Sequence, residues 1–302
     1  MRRVLVTGAG GFIGRYVLDP LLKAGFEVHA ASRLQVADAD VHWHQVDLMN
    51  AAQVELLMSE VQPTDLLHLA WYTEHGKFWT ASENMDWVAA SMTLLRQFAN
   101  IGGRRAVFAG SCAEYDWHSG GHCDELKTAC APHTFYGECK HALERVASGF
   151  CTNTGISFAW GRIFFMYGPH ETASRFVPQL ITGILQNREI PCSEGNQLRD
   201  FMYVRDVAGA FARLLESDLR GAINIASGES LTLRQLGAEI MHQMNDDKLI
   251  RFGALPNRPE EPEQLTAAVE RLQSELGWQA SMSLQDGIAE CIQWWRQQLA
   301  SS

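Results

Sequence analysis

The chain has 302 residues, 46% of them hydrophobic and 20% charged, which suits one large domain or two sharing a core and excludes a disordered segment. Its formal net charge of −10 argues against a nucleic-acid-binding surface, but leaves room for a small anion held by a local group of arginines. No apolar run is long enough for a membrane span, and Val4-Leu5-Val6 stops at Thr7-Gly8, too soon for a signal peptide. The seven cysteines include no CxxC pair, so free thiols in a reducing, cytoplasmic compartment are expected.

In chain order, Arg3 to Val6 reads as a strand, Ile13 to Ala24 as a helix and Glu27 to Ala31 as a second strand. His42 to Val46 and Asp65 to Leu69 follow as strands, Trp87 to Phe98 as a helix and Arg105 to Ala109 as a fifth strand. Tyr136 to Phe150 has helical spacing, and Ile156 to Arg162 is a sixth buried run. Strands alternating with helices predict an α/β fold, a Rossmann-type, doubly wound parallel sheet with helices on both faces. After Pro169 helices dominate: Phe176 to Leu185, Val207 to Leu215 and Leu233 to Met244, with short strands at Ala222 to Ile225 and Lys248 to Phe252. A proline-rich acidic loop over Pro256 to Pro262 precedes expected helices at Val269 to Leu276 and Leu284 to Leu299. The second half is expected to form a smaller α+β lobe.

Between the first strand and helix lies Thr7-Gly8-Ala9-Gly10-Gly11-Phe12-Ile13-Gly14. Gly8 permits a tight turn, Gly11 a close backbone approach to pyrophosphate and Gly14 close helix–strand packing. The helix N-terminus offers free N–H groups to the phosphates. Residues 1–165 are therefore expected to form the dinucleotide-binding domain, with returns near 200–228, and residues 166–302 mainly the substrate lobe. Phe12 and Ile13 belong to the same phosphate-facing turn. The second strand ends in Ser32-Arg33, where NAD-specific enzymes usually carry an acid for the ribose 2′-hydroxyl. A hydroxyl and a guanidinium suit a 2′-phosphate instead, so NADP is the expected cofactor, with NAD possible.

Tyr136-Gly137-Glu138-Cys139-Lys140 is a YxxxK pattern, which puts phenol and ammonium on one helical face. A nearby ammonium is expected to lower the phenol pKa, as proton transfer to a substrate oxygen requires. Ser111, in Gly110-Ser111-Cys112-Ala113-Glu114-Tyr115, ends the fifth strand.

The GxxGxxG spacing, YxxxK and the strand-end serine resemble the extended short-chain dehydrogenases/reductases, the NAD-dependent epimerase/dehydratase family, which includes many nucleotide-sugar enzymes. The resemblance implies Ser111, Tyr136 and Lys140 as catalytic residues, with Tyr136 and Lys140 also meeting the cofactor. It implies Asp47 and Leu48 as adenine contacts and Leu69 and Ala70 as a cofactor lining. Arg162 to Pro169 resembles the segment meeting nicotinamide and substrate, with Phe165 where the family often has Asn. Arg199-Asp200-Phe201-Met202-Tyr203-Val204-Arg205-Asp206-Val207 resembles a family segment whose arginine, Arg199, joins Arg258 near a substrate diphosphate. Cys112 and Arg175 complete the implied substrate residues, and a homodimer through the Trp87 and Tyr136 helices is implied as well.

Dehydratases of the family carry an adjacent Asp-Glu pair after the catalytic threonine. Cys112 and Ala113 stand there in this chain, and Glu114 is one place off, pointing elsewhere if the strand stays extended. GDP-fucose synthase places a Cys at the position of Ala113 and a His at that of Arg175. The resemblance thus favours reduction of a 4-keto-6-deoxy nucleotide sugar, with 4-epimerisation on bound NAD as the alternative and a non-catalytic dinucleotide sensor as the third reading. His118, His122 and Cys123 match no standard metal spacing, so no metal is expected.

Overall fold

The protein is described by a computed structural model, over residues 2–34, 39–246, 248–257 and 261–301. The α/β expectation is met. Strands β1 (Arg3–Thr7), β2 (Glu27–Ser32), β3 (His42–Gln45), β4 (Asp65–His68), β5 (Arg105–Ser111), β7 (Ser157–Ile163) and β11 (Gly221–Ile225) make one sheet in the order β11-β7-β5-β4-β1-β2-β3. Every neighbouring pair is parallel. The order reverses between β1 and β4, and their carboxyl ends, Thr7 and His68, sit side by side. Open α/β sheets bind ligands at such a switch point.

Both faces of this sheet are covered. Helices α1 (Gly14–Lys23) and α6 (Val204–Glu216) pack on one face around Val4, Val6, Val28 and Ile223. On the other, α2 (Ala51–Val61), α3 (Glu83–Asn100) and α4 (Phe135–Thr154) close over Leu5, Leu66, Phe108 and Trp160. The central strands β1, β4 and β5 are buried almost throughout, as parallel strands between two helical layers must be.

A second sheet runs β12-β10-β14-β6 (Ser230–Thr232, Leu198–Tyr203, Gln264–Ala267, His122–Cys123), with β8 (Phe165–Tyr167) paired to β10. Strands β9 (Ile190–Cys192) and β13 (Ile250–Phe252) form a separate pair. Helices α5 (Phe176–Leu185), α7 (Leu233–Met244) and α8 (Leu284–Ala300) enclose a third core with Tyr167, Leu180, Ile240 and Ile288.

Several elements depart from expectation. Helix α2 had no assigned element, although its buried Val54, Leu57, Met58 and Val61 recur at helical spacing and Asn50 caps it. Strand β10 was likewise unassigned: Arg199 and Asp200, both buried, hide it inside a polar-looking run. The expected helix over Val269 to Leu276 is a single wide turn, Arg271–Glu275, followed by Gly277 at φ +66°.

The glycine turn is set by close backbone contact. A Cβ on Gly14 would stand 2.1 Å from the Gly8 carbonyl oxygen and 2.6 Å from Ala9 Cα. Neither atom belongs to a side chain that could move aside. Gly14→Ala should therefore destabilise the protein by about 1–3 kcal/mol or more, read as a lowered thermal midpoint. Gly149→Ala, in α4 with open space around it, should be neutral or stabilising by about 0.5–1 kcal/mol. An unchanged midpoint in Gly14→Ala contradicts the packing constraint.

Candidate active site

The carboxyl ends of β1, β4 and β5 and the start of α4 form one wall. Gly8 turns the chain at φ +71°, and a Cβ there would lie 2.7 Å from the Ala70 nitrogen. Gly11 N–H donates to the Gly8 carbonyl at 2.9 Å. Helix α1 follows with no side-chain cap and no acid in its first turn. Its N-terminus is therefore open to an anion, and the turn is a cradle that side chains would fill. Phe12 and Ile13 close the loop, Ile13 buried in the α1 side of the core. Leu69 and Ala70 continue from β4, Leu69 packing towards the α1 face and Ala70 towards the α2 face. Arg15 folds back onto the Gly10 and Gly11 carbonyls at 3.2 and 3.3 Å.

The Ser32 hydroxyl lies 3.6 Å from where a Gly10 Cβ would stand, so it faces the loop. Arg33 is exposed and lines an open groove beside β3 with Gln45 and Asp47. The Asp47 carboxylate accepts from Met49 N–H at 3.0 Å, and Leu48 is buried. His68 anchors the β4 end. Its Nδ1 is 2.6 Å from the Thr7 hydroxyl and its Nε2 is 2.8 Å from Ser91 Oγ. Burial drives its pKa down to about 3, so it stays neutral and structural.

At the end of β5 the chain leaves the strand as a tight turn, Cys112–Glu114, capped by Ser111. This corrects the expectation for Glu114. The residue does not continue an extended strand; it folds back and is fully buried. Its carboxylate accepts from Ser111 N–H at 2.7 Å, from Trp160 Nε1 at 2.9 Å and from Arg162 Nε at 2.9 Å. Arg162 also donates to the Tyr115 hydroxyl at 3.2 Å, which donates to Asn224 at 2.7 Å.

Tyr136 and Lys140 stand on α4 behind Ser111. The Ser111 side chain is close enough to the Tyr136 phenol to draw its pKa down. The phenol pKa is nevertheless raised, first by burial, against the expectation that Lys140 would lower it. Lys140 donates to the Ala109 carbonyl at 2.9 Å and lies 3.7 Å from the centroid of the Trp71 ring. Burial lowers its own pKa to about 7, partly offset by Glu114, so near neutrality it carries only part of a charge.

An unforeseen aromatic wall covers Tyr136. Phe78 meets it edge-on at 4.9 Å between ring centroids, Trp79 at 5.8 Å and Trp71 at 6.4 Å. Trp117 meets Trp79 at 6.1 Å. Buried Asn84 holds this loop, accepting from Trp71 Nε1 at 2.9 Å and donating to the Phe78 carbonyl at 2.7 Å. The signal was the density of aromatics in Trp71-Tyr72-Thr73-Glu74-His75-Gly76-Lys77-Phe78-Trp79, but only the fold brings it to Tyr136.

The expected substrate residues fare differently. Arg175 caps the start of α5, with its guanidinium 5.4 Å from the Phe78 ring centroid. Close by in sequence, Glu171 has its carboxyl pKa raised by burial to about 8 and a buried Oε2 with no partner among the described residues. Cys112 is buried, and desolvation pushes its thiol pKa up, the environment of an inert cysteine. Phe165 meets Phe201 at a tilt, 5.5 Å between ring centroids, and lies under Arg199. Arg199 is buried and its guanidinium is already held by Glu261 at 3.0 Å and the Leu198 carbonyl at 2.8 Å. It is therefore not a free phosphate hook in this state. Arg258 lies outside the described residues. His118 and His122 belong to different neighbourhoods, His118 against His133 and His122 against Thr266.

Residues 4–226 match the sequence model of the NAD dependent epimerase/dehydratase family. The chain belongs to this family. It is thus an NAD(P)-dependent oxidoreductase-type enzyme of the extended short-chain dehydrogenase/reductase class. It is 22% identical to CDP-abequose synthase of Salmonella muenchen over 96% of its own length and 97% of the relative's. UDP-glucose 4-epimerase of Thermus thermophilus, solved with NAD, superimposes with a TM-score of 0.86 at 25% identity, covering 97% of this chain and 99% of the other. UDP-glucose 4-epimerase of Thermotoga maritima, solved with UDP-glucose, gives 0.88 at 21% identity over 98% and 99%. Among the described residues no helix is long and apolar enough to cross a membrane.

The Glu114 pair generates a prediction. Glu114→Gln leaves the Arg162 guanidinium buried without its countercharge, a change that costs about 3–5 kcal/mol. Denaturant unfolding should show that loss. A cost below about 1 kcal/mol would mean that the pair does not carry the turn.

Proposed function

We propose that the enzyme reduces the keto group of a nucleotide-activated 4-keto-6-deoxy sugar, with NADPH as donor. The observation that carries this reading is the acid–base inventory around Ser111. Glu114, the nearest acid along the chain, is buried and fully engaged by Arg162, Trp160 and the Ser111 backbone. It is not free to remove a proton from carbon, as dehydration would require. What remains, Ser111, Tyr136 and Lys140, suffices for reduction. The bound dinucleotide would supply a hydride to the carbonyl carbon and leave oxidised. Ser111 would hydrogen-bond the carbonyl oxygen, and Tyr136 would give that oxygen its proton. A phenol whose pKa burial has raised holds its proton at neutral pH, which suits a donor. The aromatic wall of Phe78, Trp79 and Trp117 suits a sugar with a methyl at its edge.

The phosphates of the substrate are assigned to Arg175, Arg199 and Arg258. For Arg199 this requires exchange of Glu261 for a phosphate oxygen. A homodimer across α3 and α4 is part of the reading, supported by the exposed Met85 and Val146 on those helices. The second reading, 4-epimerisation on retained NAD, is favoured by the likeness to the Thermus enzyme over nearly the whole chain and uses the same three groups.

Two experiments separate these readings. In the first, pure protein is mixed with NADPH and nucleotide-linked 4-keto sugars, and NADPH absorbance is followed. Loss of absorbance is expected, and Tyr136→Phe should slow it by about 10²-fold or more. Interconversion of nucleotide hexoses without consumption of added NADPH would replace reduction by epimerisation. The second compares dissociation constants for NADPH and NADH. NADPH should bind more tightly, and Arg33→Ala should weaken it by about tenfold or more, as loss of a charged hydrogen bond does. Tighter NADH binding in the unaltered enzyme would overturn the cofactor assignment.

A further inference from the structure

The free end of the main sheet carries a second group of chemistry-bearing side chains, away from Ser111 and Tyr136. β3 is the edge strand, paired only to β2, with His29 directly opposite His42 and Ala31 opposite His44. Alternation along the strands puts Glu27, His29, His42 and His44 on one face. The His29 ring stacks on His42 at 4.8 Å and on His44 at 5.1 Å between centroids. His29 Nδ1 is 2.8 Å from His44 Nε2, and His29 Nε2 is 3.0 Å from Glu27 Oε1. One potential ligand atom each from Glu27, His29 and His42 lies within 4.8 Å of the other two.

We propose that Glu27, His29 and His42 form a binding site for a divalent transition-metal ion of the zinc class, with His44 orienting His29. Imidazole nitrogen with one carboxylate is a donor set that suits zinc, nickel or copper. A tetrahedral ion with bonds near 2.0–2.1 Å holds its donors about 3.4 Å apart. The side chains therefore have to close by little more than about an ångström. His42 is exposed and at a sheet edge, so it is free to do so.

The fixed half of the site is His29, which is buried and in contact with Glu27. With an ion bound, its Nδ1 would donate to His44 Nε2, and its Nε2, which faces Glu27 Oε1 at 3.0 Å in the structure, would give its lone pair to the ion in place of that contact. A ligating histidine held by a second group in this way is the usual arrangement in metal sites. Arg3 competes, with its Nε 3.0 Å from Glu27 Oε1. Among the described residues that contact and the His29 contact both fall on Oε1, which leaves Oε2 for an ion. Three protein donors leave a position for water. The ion would bridge β2 to β3 and clip the edge strand to the sheet.

The test uses the full chain stripped with a chelator and titrated with Zn²⁺ by calorimetry and with Co²⁺ by visible absorption. One ion per chain is expected, with a Co²⁺ spectrum free of thiolate charge transfer and a thermal midpoint that rises with ion concentration. His42→Ala and the milder His42→Gln should each weaken binding at least tenfold while circular dichroism and dinucleotide binding stay unchanged. His44→Ala should weaken it by about 10–100-fold through the lost orienting bond. His133→Ala, in the separate His118 cluster, should have no effect. The proposal fails if there is no stoichiometric binding, if the Co²⁺ spectrum shows thiolate ligation, if both His42 variants bind as tightly as the parent, or if His133→Ala abolishes binding.

Discussion

Glu114 is the residue on which the shape of the site depends. An ionised carboxylate with no solvent contact is sustained only when donors surround it, and this one has a backbone N–H, an indole N–H and a guanidinium. Those donors come from β5 and β7, so the carboxylate ties two neighbouring strands to the turn that presents Ser111. Gly110 makes the arrangement possible, because a Cβ there would lie 2.1 Å from Trp160 Nε1 and 2.7 Å from Glu114 Oε1. Arg162 extends the chain of contacts through Tyr115 to Asn224 on β11. The same bonds that hold Ser111 in place remove the neighbouring carboxylate from chemistry.

The electrostatics of Tyr136 and Lys140 follow from dryness rather than from their mutual distance. Both are buried, and both shift towards the neutral form: the phenol pKa rises and the ammonium pKa falls to about 7. Because the folded-state value of Lys140 lies below its unfolded value, the unfolded chain holds more protons between the two. Stability from this group therefore rises with pH from about 7 towards the ordinary lysine value, and the full cost of the buried charge applies below about 7. The aromatic loop held by Asn84 maintains that dryness. Under the proposed reduction Tyr136 has to reach substrate, and the contacts of Phe78 and Trp79 with it are then those that a bound sugar would replace.

What was legible in the sequence was whatever depends on spacing along one element. The glycine turn between a strand and a helix, the YxxxK face and the alternation of buried strands with helices are all of this kind, and the fold follows them. Helix α2 is of the same kind, its buried Val54, Leu57, Met58 and Val61 recurring at helical spacing. The polarity of the site was not legible. YxxxK places two groups on a helical face but says nothing about how much water reaches them, so the direction of the Tyr136 shift came out reversed. Arg199 is a similar case. Its position in the RDF segment is a local feature, whereas its capture by Glu261 links residues 62 apart in the chain.

The histidine cluster shows the same limit from the other side. His29, His42 and His44 carry no recognisable spacing, because their association is set by the register of two parallel strands. Register also explains why such a cluster is tolerable there. β2 serves two environments, with Ser32 turned towards the glycine loop at its carboxyl end and Glu27 and His29 at the other. A central strand could not hold a stack of imidazoles without burying unmet donors. On an edge strand one ring, His42, stays in water while His29 finds partners on both nitrogens. An ion there would stiffen the strand pair whose far end carries Ser32 and Arg33.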